Sequence, residues 1–170
     1  MDPTLLTALR ATARAFPEIL SVYRGSFAVE TKADSSPVTE ADRRSHRIIT
    51  EELSRGSDCP ILSEEGRRVP YDERRGWKRF WVVDPLDGTK EFVKRNGEFT
   101  INIALVEGTA PVLGVVYAPL PDLLYFAWKD RSYRLEGFSE LGSDVPEDLL
   151  ERASKLPVQE PFDFDESQKR

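Results

Sequence analysis

The chain has 170 residues, of which 39% are hydrophobic and 32% are charged, a balance typical of a single globular domain with its own core. The net charge of −6 is unevenly distributed, because residues 1–135 carry 20 basic and 20 acidic side chains whereas residues 136–170 carry 4 and 10. A neutral body with an acidic tail excludes the basic surface expected of a nucleic-acid-binding protein.

Two helices are predicted in the first third of the chain. Apolar residues recur at three- and four-residue spacing over residues 3–23, which predicts an amphipathic helix that Pro17 kinks or ends. The polar stretch Lys32–Ser36 indicates a loop. A second helix is predicted from Thr39, with Gly56 as its stop.

The middle of the chain is rich in strand signals. Six predicted strands are Cys59–Ser63, Phe80–Asp84, Phe99–Val106, Pro111–Tyr117, Leu123–Trp128 and Ser132–Leu135. The charged stretch between the first two, Gly66–Gly76, is predicted to be a surface loop. Helices followed by a run of strands favour an α+β fold, a layered sandwich of two N-terminal helices on a mostly antiparallel sheet.

Beyond Gly137 the composition changes. Val145–Leu156 has the pattern of one short helix, and Pro157–Arg170 is polar and acidic, which predicts disorder. We therefore expect one ordered domain over residues 1–135 and an acidic, partly disordered tail over residues 136–170.

Cysteine content and hydropathy indicate the compartment. Cys59 is the only cysteine, which excludes an internal disulfide and suits a reducing environment. No apolar run approaches the roughly 18 residues of a membrane span, and the N-terminus lacks the pattern of a secretory signal. We expect a cytoplasmic protein without a transmembrane segment.

The most informative stretch is residues 81–92, WVVDPLDGTKEF. A buried strand ends on Asp84 and Asp87, and Gly88 or Thr89 then begins a predicted helix. Carboxylates suit Mg²⁺, which takes oxygen ligands and completes its shell with water and substrate phosphate, while the free N–H groups of a helix start attract anions. The alternative is an ordinary Asp-Gly turn.

Two further acidic motifs become informative when they are considered together with residues 81–92. Glu64 and Glu65 end another predicted strand and are either a surface acidic pair or the source of a third carboxylate at the metal site. Thr39 and Asp42 resemble a helix cap. Asp42 has a possible second task, which is to polarise a hydroxyl such as that of Thr89.

Together these segments resemble the inositol monophosphatase superfamily and, within it, the 3′(2′),5′-bisphosphate nucleotidase branch. The resemblance runs from about Lys32 to about Ala127, and its matching text is KAD, SPVTEADRRSH, PILSEE, FWVVDPLDGTKEFVKRNGEFTINIAL and GVVYAPLPDLLYFA. It implies the N-terminal half of the sugar-phosphatase fold, with residues 1–135 forming a metal- and phosphate-binding domain.

The resemblance also implies a role for each site residue. Mg²⁺ is expected on Glu64, Asp84, the carbonyl of Leu86 and Asp87. Substrate contacts are expected from Glu64, Leu86, Asp87, Gly88, Thr89 and Lys90. The catalytic residues would be Asp42 and Thr89, which orient and deprotonate the attacking water, together with Glu64. The complete family site is expected to hold two or three Mg²⁺ ions and to be inhibited by Li⁺.

The implied activity is Mg²⁺-dependent removal of the 3′-phosphate of 3′-phosphoadenosine 5′-phosphate, a reaction of sulfur assimilation and nucleotide recycling that yields AMP. The alternatives are a sugar phosphatase of the inositol monophosphatase type and a non-catalytic remnant or partner-binding module that keeps the fold.

The C-terminal part departs from the resemblance, because nothing after Arg134 matches the second α/β region and its Trp-Asp motif. A chain without that region is expected to be weak or inactive alone. Its expected partners are a small phosphate ester and either a second copy or a complementing C-terminal fragment. The resemblance also allows peripheral association with the inner membrane.

Overall fold

Two long helices pack against one face of a seven-stranded sheet in this computed structural model, which describes residues 1–31 and 37–157. The helices are α1 (Pro3–Arg24), α2 (Glu40–Gly56), α3 (Tyr71–Arg74), α4 (Thr89–Lys94) and α5 (Leu149–Arg152), with a 3-10 turn at Phe138–Leu141. The strands are β1 (Val29–Thr31), β2 (Pro37–Thr39), β3 (Ile61–Ser63), β4 (Arg79–Asp87), β5 (Thr100–Glu107), β6 (Ala110–Ala118), β7 (Leu123–Trp128), β8 (Arg131–Glu136) and β9 (Ser154–Lys155).

Helix α1 begins at a side-chain cap and continues past its internal proline. The carboxylate of Asp2 accepts the N–H of Thr4 at 2.8 Å, and Pro3 occupies a first-turn position where no N–H is needed. The sequence left open whether Pro17 kinks the helix or ends it. The helix does not end there, since α1 runs unbroken to Arg24. Pro17 lies on the exposed side, and the apolar stripe continues beyond it through the buried Ile19, so packing on the sheet outweighs the lost hydrogen bond.

Helix α2 begins at the predicted cap. Thr39 and Asp42 form a capping box, with the Thr39 N–H donating to Asp42 Oδ2 at 2.7 Å. The buried face repeats every four residues, as an amphipathic helix requires, and consists of Ala41, Asp42, Ser45, Ile49 and Leu53. Gly56 is the last helical residue, with Ser57 as the cap that follows it.

The large sheet has the order β3-β4-β5-β6-β7-β8-β9. Among its strands within the described residues, only β3 and β4 run parallel, and the remaining pairs are antiparallel. On β5 the buried residues Ile101, Ile103 and Leu105 alternate with half-buried ones, so one face of the strand packs under the helices. The α+β prediction is confirmed.

Several element boundaries differ from the prediction. Strand β4 extends beyond Asp84 to Asp87, because its pairing with β5 resumes after an irregularity. The loop predicted at Gly66–Gly76 contains the short helix α3. In place of one helix over Val145–Leu156 the chain forms the single-turn α5 and then β9, which pairs with β8.

The segment that follows β8 packs against the main body. Phe138, Val145 and Leu149 are buried in the same core as the helices and the sheet. The domain boundary at residue 135 stays a prediction. The predicted loop at Lys32–Ser36 and the predicted disorder from residue 158 onward lie outside the described residues.

A membrane-spanning helix is not found within residues 1–31 and 37–157, where every helix is too short or too polar to cross a bilayer.

Candidate phosphate- and metal-binding site

The parallel pair β3–β4 brings two carboxylates to one end of the sheet. Ser63 is paired with Val83, and the N–H of Glu64 donates to the carbonyl of Val83 at 3.0 Å. Glu64 and Asp84 therefore lie at the same level, Glu64 just after the end of β3 and Asp84 on the neighbouring β4. Because parallel strands share a direction, residues that follow each strand meet at a common edge.

The β4 irregularity positions the second aspartate. The N–H of Leu86 donates to Asp84 Oδ1 at 3.2 Å, while Pro85 and Leu86 are buried. Asp87 returns to register opposite Thr100, and its Oδ2 accepts a hydrogen bond from Asn102 Nδ2 at 3.0 Å. The bulge thus fixes two carboxylates at neighbouring points of one strand end.

Gly88 makes the sharp turn from β4 into α4. Its φ of +91° is left-handed, and a Cβ there would lie 2.6 Å from the carbonyl oxygen of Glu98. Only glycine meets both requirements without strain. Helix α4 then begins at Thr89, so the first N–H groups of that helix border the same space as Asp87.

Asp42 and Thr89 are brought together from different elements. The Thr89 hydroxyl donates to Asp42 Oδ1 at 3.0 Å, and the Thr39 hydroxyl donates to Asp42 Oδ2 at 2.6 Å. Asp42 is 1% exposed, and these hydrogen bonds satisfy both of its oxygens. The Ser45 hydroxyl also donates to the carbonyl of Pro85 at 2.8 Å, which ties α2 to the end of β4.

A cavity of about 250 Å³ lies at the junction of these elements. It is lined by Pro37, Glu64, Asp84, Leu86, Asp87, Gly88, Thr89, Lys90 and Glu91. All the sequence-predicted site residues except Asp42 thus line one cavity, and Asp42 reaches it through Thr89. The individual roles assigned to them stay predictions.

Asp84 has an unusual electrostatic environment. Burial, and then the neighbouring carboxylate and hydrogen bond of Glu64, raise the pKa of Asp84 to about 7, with a smaller contribution from Asp87. Carboxylates this close cannot all be ionised cheaply without a positive partner. The arrangement is therefore one that a cation would stabilise.

The oxygen donors that line the cavity fit a hard divalent cation that takes only some of its ligands from the protein. Among the residues described, no group of three His, Cys, Asp or Glu side chains is close enough to enclose an ion. The cavity nonetheless offers Glu64, Asp84, Asp87 and the Leu86 carbonyl as oxygen donors. Such a partial set matches Mg²⁺, which retains water and draws further ligands from a phosphate.

Sequence reasoning missed two of the residues that hold the site in place. Asn102 contacts Asp87, and Ser45 contacts the Pro85 carbonyl. Asn102 carries a detectable signal, since it is a polar residue inside an otherwise apolar strand. Its partner depends on the β4–β5 register, which no local pattern specifies.

Comparisons with known proteins identify the family of this chain. The sequence profile of the inositol monophosphatase family matches residues 1–167. The chain is 50% identical over 121 residues to the 3′(2′),5′-bisphosphate nucleotidase CysQ of Salmonella typhimurium. The aligned region covers 69% of this chain and 49% of that protein. The corresponding Escherichia coli K12 protein is 49% identical over the same length and with the same coverage.

Solved structures show the same similarity. CysQ from Bacteroides thetaiotaomicron, described as a bacterial member of the inositol monophosphatase family, superposes with a TM-score of 0.78 at 41% identity, covering 92% of this chain and 58% of the other. SuhB of Bartonella henselae gives a TM-score of 0.65 at 29% identity, covering 75% and 48%. The chain spans about half the length of the curated relatives it matches, and it belongs to the inositol monophosphatase family.

Proposed function

We propose that this chain carries the metal- and phosphate-binding half of a Mg²⁺-dependent phosphatase that removes the 3′-phosphate of 3′-phosphoadenosine 5′-phosphate and yields AMP. The observation that carries the proposal is the cavity at the end of β4, lined by Glu64, Asp84 and Asp87 beside the start of α4. The nucleotidase names of relatives at 49–50% identity support the choice of substrate.

The Asp42–Thr89 pair supplies the water-orienting group in this proposal. Because Thr89 donates its hydroxyl hydrogen to Asp42, the lone pairs of Thr89 Oγ1 are free to accept a hydrogen from a water in the cavity. Asp42 is buried and held by Thr39, so the hydroxyl is fixed before substrate arrives. Bound Mg²⁺ would supply charge neutralisation and an activated water.

The phosphate group would lie at the turn into α4. The N–H groups of Gly88 and Thr89 and the exposed side chain of Lys90 border the cavity, and these donors are suited to phosphate oxygens. Holding the phosphate there beside the Thr89 hydroxyl would place it next to the oriented water. Most of the rate gain would then come from positioning.

Finer features of the family site belong to the same proposal. We propose two or three Mg²⁺ ions with Li⁺ as an inhibitor, and a cytoplasmic location suited to the single cysteine. The matched relatives are about twice as long, so we also propose that further chain, from a second copy or a complementing C-terminal fragment, adds substrate contacts.

A phosphate-release assay tests the function. We expect the chain to release phosphate from 3′-phosphoadenosine 5′-phosphate in Mg²⁺, more slowly than a complete nucleotidase, and we expect Glu64→Ala and Asp87→Asn to abolish release. Calorimetry with Mg²⁺ alone should show binding that Asp87→Asn eliminates, because that variant removes one anionic ligand.

The outcomes separate the alternatives. Release only from inositol 1-phosphate or fructose 1,6-bisphosphate would reassign the substrate to sugar phosphates. Equal Mg²⁺ binding by wild type and Asp87→Asn would refute the metal site. No release above the Glu64→Ala background would favour the non-catalytic, partner-binding alternative.

A further inference from the structure

Asn102 is a polar side chain that lies beside both aspartates of the cavity at the end of β4. It belongs to β5, where it is the register partner of Asp84. Residues directly opposite each other in an antiparallel pair present their side chains on the same face of the sheet. The Nδ2 of Asn102 also donates to Asp87 Oδ2 at 3.0 Å. The amide group therefore contacts one proposed metal ligand and neighbours the other.

The orientation of this amide is fixed from its other end. Thr100, the register partner of Asp87, donates its hydroxyl to Asn102 Oδ1 at 3.0 Å. Because the oxygen of the amide accepts from Thr100, the nitrogen, which can only donate, is the end that faces Asp87. Thr100, Asn102 and Asp87 thus form a short hydrogen-bonded series that crosses from β5 to β4.

This series restrains a carboxylate that burial does not confine. Asp87 is exposed, so its side chain would turn easily without a hydrogen-bonding partner. Within the part of the chain that the structure describes, Asp87 Oδ2 accepts the N–H of Asn102 and no hydrogen bond to Asp87 Oδ1 is found. One oxygen of Asp87 is therefore engaged, and the other is available to a cation in the cavity that Asp87 lines.

We propose that Asn102 makes the site selective for Mg²⁺ over Ca²⁺ by limiting Asp87 to coordination through one oxygen. The inference rests on the proposed function, because it takes Asp87 to be a metal ligand. Mg²⁺ requires near-octahedral geometry with short bonds, which suits a carboxylate that offers a single oxygen. Ca²⁺ accepts more ligands, including both oxygens of one carboxylate. Asn102 is thus a positioning residue, which acts on the cation through Asp87.

Calorimetry on the full chain tests the proposal, with Mg²⁺ and Ca²⁺ titrated separately in the absence of substrate. Asn102→Leu keeps the branched shape of the side chain and removes the donor. We expect this variant to bind Mg²⁺ about tenfold more weakly, the order typical of losing a group that orients a metal ligand, and to bind Ca²⁺ no more weakly than wild type. The ratio of the two dissociation constants should therefore shift about tenfold towards Ca²⁺, whereas general loosening of the fold would weaken both.

Thr100→Val is a second variant, which keeps the Asn102 donor but removes the hydroxyl that fixes its orientation. We expect the same shift at a smaller size, about threefold, the order of one lost neutral hydrogen bond. Valine is well suited to a strand, so this variant decides the matter if Asn102→Leu does not fold. Thermal unfolding shows whether each variant is folded.

Val116→Thr is the matched control, because Val116 pairs with Asn102 from the opposite side of β5 and does not line the cavity. It should alter neither dissociation constant. An unchanged ratio in the folded Asn102→Leu variant, or in Thr100→Val if the first variant does not fold, would overturn the selectivity role while leaving the proposed function standing. Absence of Mg²⁺ binding by wild type would overturn both.

Discussion

Gly88 shows how a single residue constrains the site. Its left-handed φ and the 2.6 Å approach to the Glu98 carbonyl leave no room for a side chain. The same turn sets where Thr89 meets Asp42 and where α4 begins. The Asp-Gly pair is therefore both the ordinary turn suggested by the sequence and a structural requirement of the cavity.

Gly88→Ala should destabilise the protein by about 3 kcal/mol, because backbone strain and steric overlap act together. Gly108→Ala is the control, since Gly108 has a φ of +62° but a Cβ there would meet nothing within 4 Å, and strain alone should cost about 1 kcal/mol. Urea unfolding measures both. Equal losses would show that the contact with Glu98 is unimportant.

Residue types at the site were predictable from the sequence, whereas the supporting residues Asn102 and Ser45 were not. Asp84, Asp87, Gly88 and Thr89 are consecutive parts of one motif, so their proximity follows from a strand that turns into a helix. The hydrogen bond from Thr89 to Asp42 joins residues 47 positions apart. The sequence offered this pairing only as a possible second task of Asp42 and as an implication of the resemblance, because local patterns do not encode how α2 packs against β4.

At the scale of elements, the packing of α1 against α2 explains why α2 ends in glycine. A Cβ on Gly56 would lie 2.4 Å from Thr7 Cγ2 and 2.5 Å from Thr7 Oγ1. The helix ends at Gly56, as predicted, and Ser57 follows as the cap. Close approach of the two helices is therefore the reason for glycine at this position.

Gly56→Ala should consequently destabilise the protein by about 1–2 kcal/mol, because the clash with Thr7 outweighs the gain of about 1 kcal/mol from better helix propensity. In a Thr7→Ala background the same substitution should be neutral or stabilising. Thermal unfolding of the four proteins in this cycle measures the coupling. Additive effects would contradict direct contact between the two positions.

Strand identities were largely predictable and strand ends were not. Alternation of apolar residues identified β5 to β8, since one face of each strand packs on the core. The apolar run stopped at Asp84, yet pairing with β5 carries β4 to Asp87. Similarly, the two residues of β9 are ordered by the free edge of β8, a contact that no helix-forming pattern in Val145–Leu156 could reveal.

At the scale of the whole molecule, the free energy of unfolding depends on pH through one half-buried imidazole. His46 is the only histidine, and its Nδ1 lies 2.8 Å from the hydroxyl oxygen of Ser63 on β3. Burial lowers the pKa of His46 below its ordinary value of 6.5. The unfolded chain therefore binds a proton in a pH range where the folded chain does not.

This difference predicts a loss of stability in acid. The free energy of unfolding should fall as pH drops below about 6.5 and should level off below the lower folded-state pKa. His46→Gln removes that contribution, so the stability of wild type relative to the variant should decrease between pH 7.5 and 5.5. Urea unfolding at each pH provides the measurement. Asp84 titrates in both proteins, and a constant difference would refute the assignment to His46.

The single parallel pairing in the large sheet has an evolutionary consequence. Because β3 and β4 are locked side by side, Glu64 and Asp84 keep their spacing whatever the length of the connection that joins the two strands. Residues 66–78 can thus gain, lose or exchange side chains while the two carboxylates keep their relative positions. Within this architecture, the connecting segment can diversify while the strand ends remain under strong constraint.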